Sequence, residues 1–176
     1  MPFTPFHLGP ALALGLPLRR YIHAPTFILA NIIIDIEPYL VITLKLNYPL
    51  HGYLHTFLLA FIFGLVLGYV MYLLEKVFNP LYRVLLLVPK EPLGINSFII
   101  AGFSGTLLHV LLDSPLYRDI RPLYPIDVNP LYNPNLTMTI YGICIFMGLF
   151  GILYYIYLLL FKVIKSLKKA NIFRII

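Results

Sequence analysis

The chain is poor in cysteine, in charge and in acids, and it lacks tryptophan altogether. Its one cysteine, Cys144, excludes an intrachain disulfide, a Cys-based zinc knuckle and a CxxC redox pair. Charged residues make up 11% of the 176 positions, far below the ~25% of a soluble domain. With 60% hydrophobic residues and a mean hydropathy of +0.88, that scarcity points to an integral membrane protein. Only 7 acids face 13 Lys+Arg, a net charge of +6 that would suit nucleic acid if the cations formed a patch. They flank apolar segments instead, so no nucleic acid is expected as a partner. In place of tryptophan, 14 Tyr and 13 Phe are available for the interfacial belts.

Long uncharged runs are what the chain has in abundance. Residues 53 to 74 and 137 to 161 carry no formal charge and are each long enough to cross a bilayer as a helix. Residues 95 to 112 form a third span, set off by Pro92, Gly94 and Pro115. A fourth, residues 24 to 46, holds Asp35, Glu37 and Pro38 near its middle, which predicts a kinked or broken helix. Residues 3 to 18 contain Pro5, Pro10 and Pro17 and predict a short or half-inserted helix. Arg19 and Arg20 follow that stretch instead of preceding it, which argues against a signal peptide. The expected fold is thus an all-α integral membrane protein, a compact bundle of four transmembrane helices plus a short N-terminal helix. It makes one domain over residues 1 to 161, with a basic tail over 162 to 176.

Cations set the expected orientation. Arg19, Arg20, Lys76, Arg83, Lys90, Lys162, Lys165, Lys168, Lys169 and Arg174 fall on one side if the spans alternate, against Lys45, Arg118 and Arg121 on the other. This places the C-terminus in the cytoplasm and the 47 to 52 and 114 to 136 loops outside a cytoplasmic membrane. The 114 to 136 loop holds five prolines and predicts an ordered cap.

Ionisable groups within spans are costly unless they line a cavity, pair or hold a metal. His55, and His109 with Asp113 in an HxxxD pair, lie at the outer ends of their spans, and His7 lies at the outer end of the first segment. Asp35 sits in the kinked helix, from which Pro38 can open it toward the same face. An i, i+4 pair shares a helix face and offers one imidazole and one carboxylate to a zinc ion. Alternatives stand beside this: HxxxD as a hydrogen-bonded helix clamp, and Asp35 paired with Lys45 or a tyrosine hydroxyl. His51 reads as a further ligand or a substrate contact, and His23, next to Arg19 and Arg20, as an interfacial residue without a chemical role. Cys144 reads as packing, and Gly64, Gly68, Gly102 and Gly105 as points of close helix approach.

The segments TPFHLGPALALG, NIIIDIEP, HGYLHTF and GTLLHVLLDSPLYRDIRPLYP, in that order, resemble the YdjM-like family of membrane-bound metal-dependent hydrolases over most of residues 1 to 125. That family is similar to the zinc-dependent phospholipase C and single-strand-specific nuclease superfamily. The resemblance implies His55, His109 and Asp113 as ligands of one metal, with Asp113 bridging to a second held partly by His7. It implies Asp35 as a ligand or general base. The family's Arg-Gly before its third motif is replaced by His51 and Gly52, its acidic motif tends to read Pro-Asp where Ile34 and Asp35 stand here, and Glu37 occupies the place of a common second acid. No histidine follows His109, so the superfamily's further His-x-x-x-Glu pair is missing and one or two ions are expected, zinc first and manganese second.

The expected activity is hydrolysis of a phosphoester in a lipid or lipid-linked substrate. Asp35 would orient or deprotonate the attacking water, and Arg118 and Arg121 would grip phosphate oxygens, unless they form salt bridges to Asp119 or Asp127. The rival readings are a metal-ion or proton transporter and a non-catalytic scaffold clipped by a structural metal.

Overall fold

The computed structural model describes residues 5 to 172. Thr4 and the rest of the N-terminal end, together with Arg174 in the basic tail, lie outside the described residues. The described residues form six α-helices: α1 (Leu8–Leu18), α2 (Ala24–Ile33), α3 (Ile36–Thr43), α4 (Phe57–Val84), α5 (Ile95–Asp113) and α6 (Thr137–Ile172). Among the described residues there is no strand. Among the described residues four segments are long and apolar enough to cross a membrane: Ala24–Thr43, Phe57–Val84, Ile95–Asp113 and Pro134–Lys168. The chain is an all-α membrane bundle, as its composition predicts.

Burial is inverted relative to a soluble protein. Val66, Leu73, Val77, Phe146 and Leu153 are exposed on α4 and α6, while His7, His23, Asn31, Asp35, His55, Thr106, His109 and Asp113 are buried. An apolar exterior around a polar interior suits hydrocarbon as solvent, where the buried groups satisfy one another. The helices pack in the order α6, α1, α2, α5, α4. At the heart of the bundle α4 lies along α5, and the glycines explain how closely. A Cβ at Gly64 would run into Phe103 and Thr106, and one at Gly102 would meet the Gly64 carbonyl. These small residues let the two backbones touch.

Local chemistry sets the element ends. Thr56 opens α4 by accepting the Leu59 N–H on its hydroxyl at 3.2 Å. The helix therefore starts at Phe57, later than the expected span, and His55 stands in the 3₁₀ turn Tyr53–His55 before it. At the other end α4 runs past the expected boundary at residue 74 to Val84, despite Pro80. α1 is 11 residues, about 16 Å at 1.5 Å per residue, too short for a ~30 Å hydrocarbon core. The break predicted in the second span is present. α2 ends at Ile33, and Asp35 and Glu37 donate their N–H groups three residues back, to Ile32 and Ile34, because Pro38 cannot continue the four-residue ladder. α6 continues helical through residue 162, where the basic tail begins, to Ile172.

The 114 to 136 loop is an ordered cap. Ile120 is buried, the Phe57 N–H donates to the Pro122 carbonyl at 2.9 Å, and Asn129 donates to the carbonyls of Ser114 and Tyr117.

Candidate metal centre

The start of α1, the end of α2, the turn before α4 and the end of α5 all meet at one end of the bundle. Each brings a polar residue. Asp35, His55, His109 and Asp113 offer one ligand atom apiece, and those four atoms lie within 4.8 Å of one another. None of the four is more than 3% exposed. His109 Nε2 is 3.4 Å from Asp35 Oδ1 and 3.3 Å from Asp113 Oδ2, and His55 Nε2 is 4.0 Å from the same Asp113 oxygen. A tetrahedron with metal bonds of 2.0–2.2 Å has edges of about 3.3–3.6 Å, so two of these separations match an ion's coordination sphere and the third is slightly wide. This buried Asp/His/His/Asp group can hold a metal ion.

The outward nitrogen of each imidazole is fixed by a partner. His109 Nδ1 donates to the Asn31 carbonyl at 2.8 Å, and His55 Nδ1 donates to Glu37 Oε2 at 2.9 Å. With Nδ1 carrying the proton, Nε2 presents a lone pair, and both Nε2 atoms are buried without a hydrogen-bond partner among the described residues. Unpaired buried acceptors cost free energy, and a metal would satisfy both at once. Glu37 is itself held by the Leu54 N–H at 3.1 Å and the Tyr48 hydroxyl at 3.2 Å. Burial pushes the Tyr48 hydroxyl above its ordinary value, and the nearby Glu37 charge adds to that.

His7 joins the group in a different way. Its Nε2 is 2.9 Å from Asp113 Oδ1, the oxygen not shared with His55 and His109, and its ring stacks on His109 with centroids 4.0 Å apart. It lies against the four-donor set but outside it. Asp35 Oδ1 faces His109 Nε2 across 3.4 Å. His51 is buried beside His55, with ring centroids 4.8 Å apart, and its partner is Asp119. Of the two arginines, Arg121 forms an ion pair with Asp127 at 2.7 Å on the exposed surface, and Arg118 is exposed on the same loop. Among the described residues neither has an ion pair or hydrogen bond to the four donors.

Compared with protein-family models, curated proteins and solved structures, the chain gives no match.

Three partnerships of the site are not legible in the sequence. The Asn31 carbonyl carries no side-chain signal. Glu37 is two residues from Asp35, which on an unbroken helix would turn it to the opposite face, and only the break at Ile34 lets both carboxylates serve one site. Asp119 is 68 residues from His51 and is brought to it by the cap. His23 is a correction: it is fully buried, not interfacial, because it opens α2. Its Nδ1 accepts the Thr26 N–H at 3.3 Å, and its Nε2 lies 3.1 Å from Glu75 Oε2 on α4.

Proposed function

We propose that this chain is a membrane-embedded, metal-dependent hydrolase that cleaves a phosphoester of a lipid or lipid-linked substrate at the extracytoplasmic boundary of the cytoplasmic membrane. The observation that carries the reading is the convergence of two unpartnered imidazole Nε2 atoms on two carboxylates, inside a helical bundle. Helix packing alone does not require four titratable groups at one point, and each would be costly without a ligand. The ordered resemblance to YdjM-like hydrolases supports the same assignment.

In this reading His55, His109 and Asp113 hold one divalent ion, zinc by the nitrogen and oxygen character of the donors, with manganese the second choice. His7 fixes Asp113 through its other oxygen. When bound, such an ion lowers the pKa of a coordinated water toward ~7 and offsets charge on a phosphoryl oxygen. Asp35, on the hinge between α2 and α3, takes up the proton of the attacking water. Arg121, which still has guanidinium donors beyond the Nε given to Asp127, holds phosphate oxygens, with Arg118 on the same loop. The cation distribution supports a cytoplasmic C-terminus, with this end of the bundle outside.

One observation favours a structural metal instead: four buried donors can close a tetrahedron without leaving a position for water. Asp35→Asn separates the two. A hydrolase retains bound zinc in this variant and loses phosphodiesterase activity on methyl p-nitrophenyl phosphate by at least about 10²-fold. A structural clip loses zinc or thermal stability, with no turnover in either protein.

A further inference from the structure

Beside the turn that carries His55 is a cavity of about 140 Å³ lined by Tyr48, His51, Tyr53, Thr56, Arg121 and Tyr124. That is room for more than a single water. Two relationships tie it to the metal centre. The His51 ring stands edge-on to His55 at 4.8 Å, and the Tyr48 hydroxyl donates to the same Glu37 carboxylate that orients His55.

His51 is built into this wall as one half of a dyad. Its Nδ1 is 2.9 Å and 3.1 Å from the two oxygens of Asp119, and its backbone N–H donates to Asp119 Oδ2 at 3.2 Å. The Tyr117 ring lies over it at 4.3 Å. These contacts fix the ring from three sides and assign the Nδ1 proton to the carboxylate, which leaves Nε2 as the nitrogen free to exchange a proton with a bound molecule. An imidazole oriented by a carboxylate, buried at the edge of a cavity, is the arrangement general acid catalysis uses. The donor set of the metal does not need it, since His51 is outside the four-donor group.

We propose that His51 is the general acid of this site and Asp119 its positioning residue, with the tyrosine-lined cavity receiving the departing alcohol. The inference rests on the hydrolase reading above. Hydrolysis breaks one P–O bond of the substrate and forms another to the oxygen of the attacking water. The water's proton passes to Asp35, and His51 Nε2 gives its proton to the departing alkoxide, so that the alcohol leaves neutral. Solvent then returns a proton to His51 and takes one from Asp35. The three tyrosine rings and Arg121 suit a polar alcohol with some apolar surface, such as a lipid headgroup or a lipid-linked sugar.

The test compares methyl phenyl phosphate with methyl p-nitrophenyl phosphate, which differ in how badly the departing oxygen needs a proton. The full-length protein, loaded with zinc in detergent, is assayed beside His51→Gln and Asp119→Asn, with zinc content measured on each sample. The milder Asp119→Asn guards against misfolding of the other variant, because the Asp119 side chain is 45% exposed. The expected result is zinc content unchanged in both variants, a loss of about 10²- to 10⁴-fold on the phenyl ester for His51→Gln, and at most a few-fold loss on the p-nitrophenyl ester. Asp119→Asn follows the same pattern with a smaller loss. Equal losses on the two esters with zinc retained would overturn the acid role, and loss of zinc would make His51 part of the metal scaffold instead. A wild-type protein that holds zinc yet cleaves neither ester overturns the hydrolase reading itself.

Discussion

His109 donates its Nδ1 proton to the Asn31 carbonyl at 2.8 Å, and that single bond decides which face of the imidazole looks into the bundle. His55 is held in the same sense by Glu37. The two partners differ in one respect that can be tested: the carbonyl cannot be mutated, but the carboxylate can. Glu37→Gln keeps the shape of the side chain and removes its charge, so the His55 ring becomes less basic and less well fixed. Zinc affinity, measured by competition with a chelator of known strength, should fall about 10- to 100-fold. An unchanged affinity would show that Glu37 has no part in holding the ligand.

Close approach of α4 and α5 is the condition for bringing His55 and His109 together, and it depends on glycine. Gly102→Ala places a methyl group against the Gly64 carbonyl, with backbone on both sides and no flexible side chain to yield. Overpacking of this kind costs about 1–3 kcal/mol, so the thermal midpoint in detergent should drop. Gly142→Ala on α6 is the control. No atom of the described residues lies within 4 Å of a Cβ there, and alanine favours the helix by up to ~1 kcal/mol, so its midpoint should stay level or rise. Equal behaviour of the two variants would contradict the packing account.

The cap should lose part of its hold only in strong acid. Partial burial pushes the Asp119 carboxyl up, but the His51 charge and its hydrogen bonds more than reverse this and hold it below the ordinary value of 3.8. A carboxyl with a lowered folded-state value stabilises the fold fully above its unfolded value and gives that up as pH falls through the folded one. The difference in thermal midpoint between wild type and Asp119→Asn should therefore shrink as pH falls below about 4. A difference that had already disappeared at pH 6 would assign the effect to another group.

Much of this molecule was legible in its sequence because lipid imposes simple rules. Uncharged runs marked the long helices, and Asp35, Glu37 and Pro38 together marked the broken one. The convergence of His55, His109, Asp113 and Asp35 could be read because ionisable residues are rare in spans and stood at the same ends of alternating segments. What could not be read is set by backbone and by distance along the chain. The end of α2 supplies a carbonyl that no side chain announces. The role of Glu37 depends on the local angle at Ile34, and His51 meets Asp119 only after the proline-rich loop folds over the bundle. His23 departs from expectation for a related reason: neighbouring arginines suggest an interface, while the Thr26 N–H and Glu75 draw it inside.

The most direct test of the account is the metal content of detergent-purified protein, measured by elemental analysis on wild type, His109→Ala and Asp113→Ala. The account predicts close to one equivalent of zinc or manganese in the wild type and a loss of at least about tenfold in each variant, with the helical content unchanged. Wild-type protein that retains no divalent metal after reconstitution with zinc or manganese would contradict it. His55, His109, Asp35 and Asp113 would then be polar groups that hold the helices to one another and nothing more.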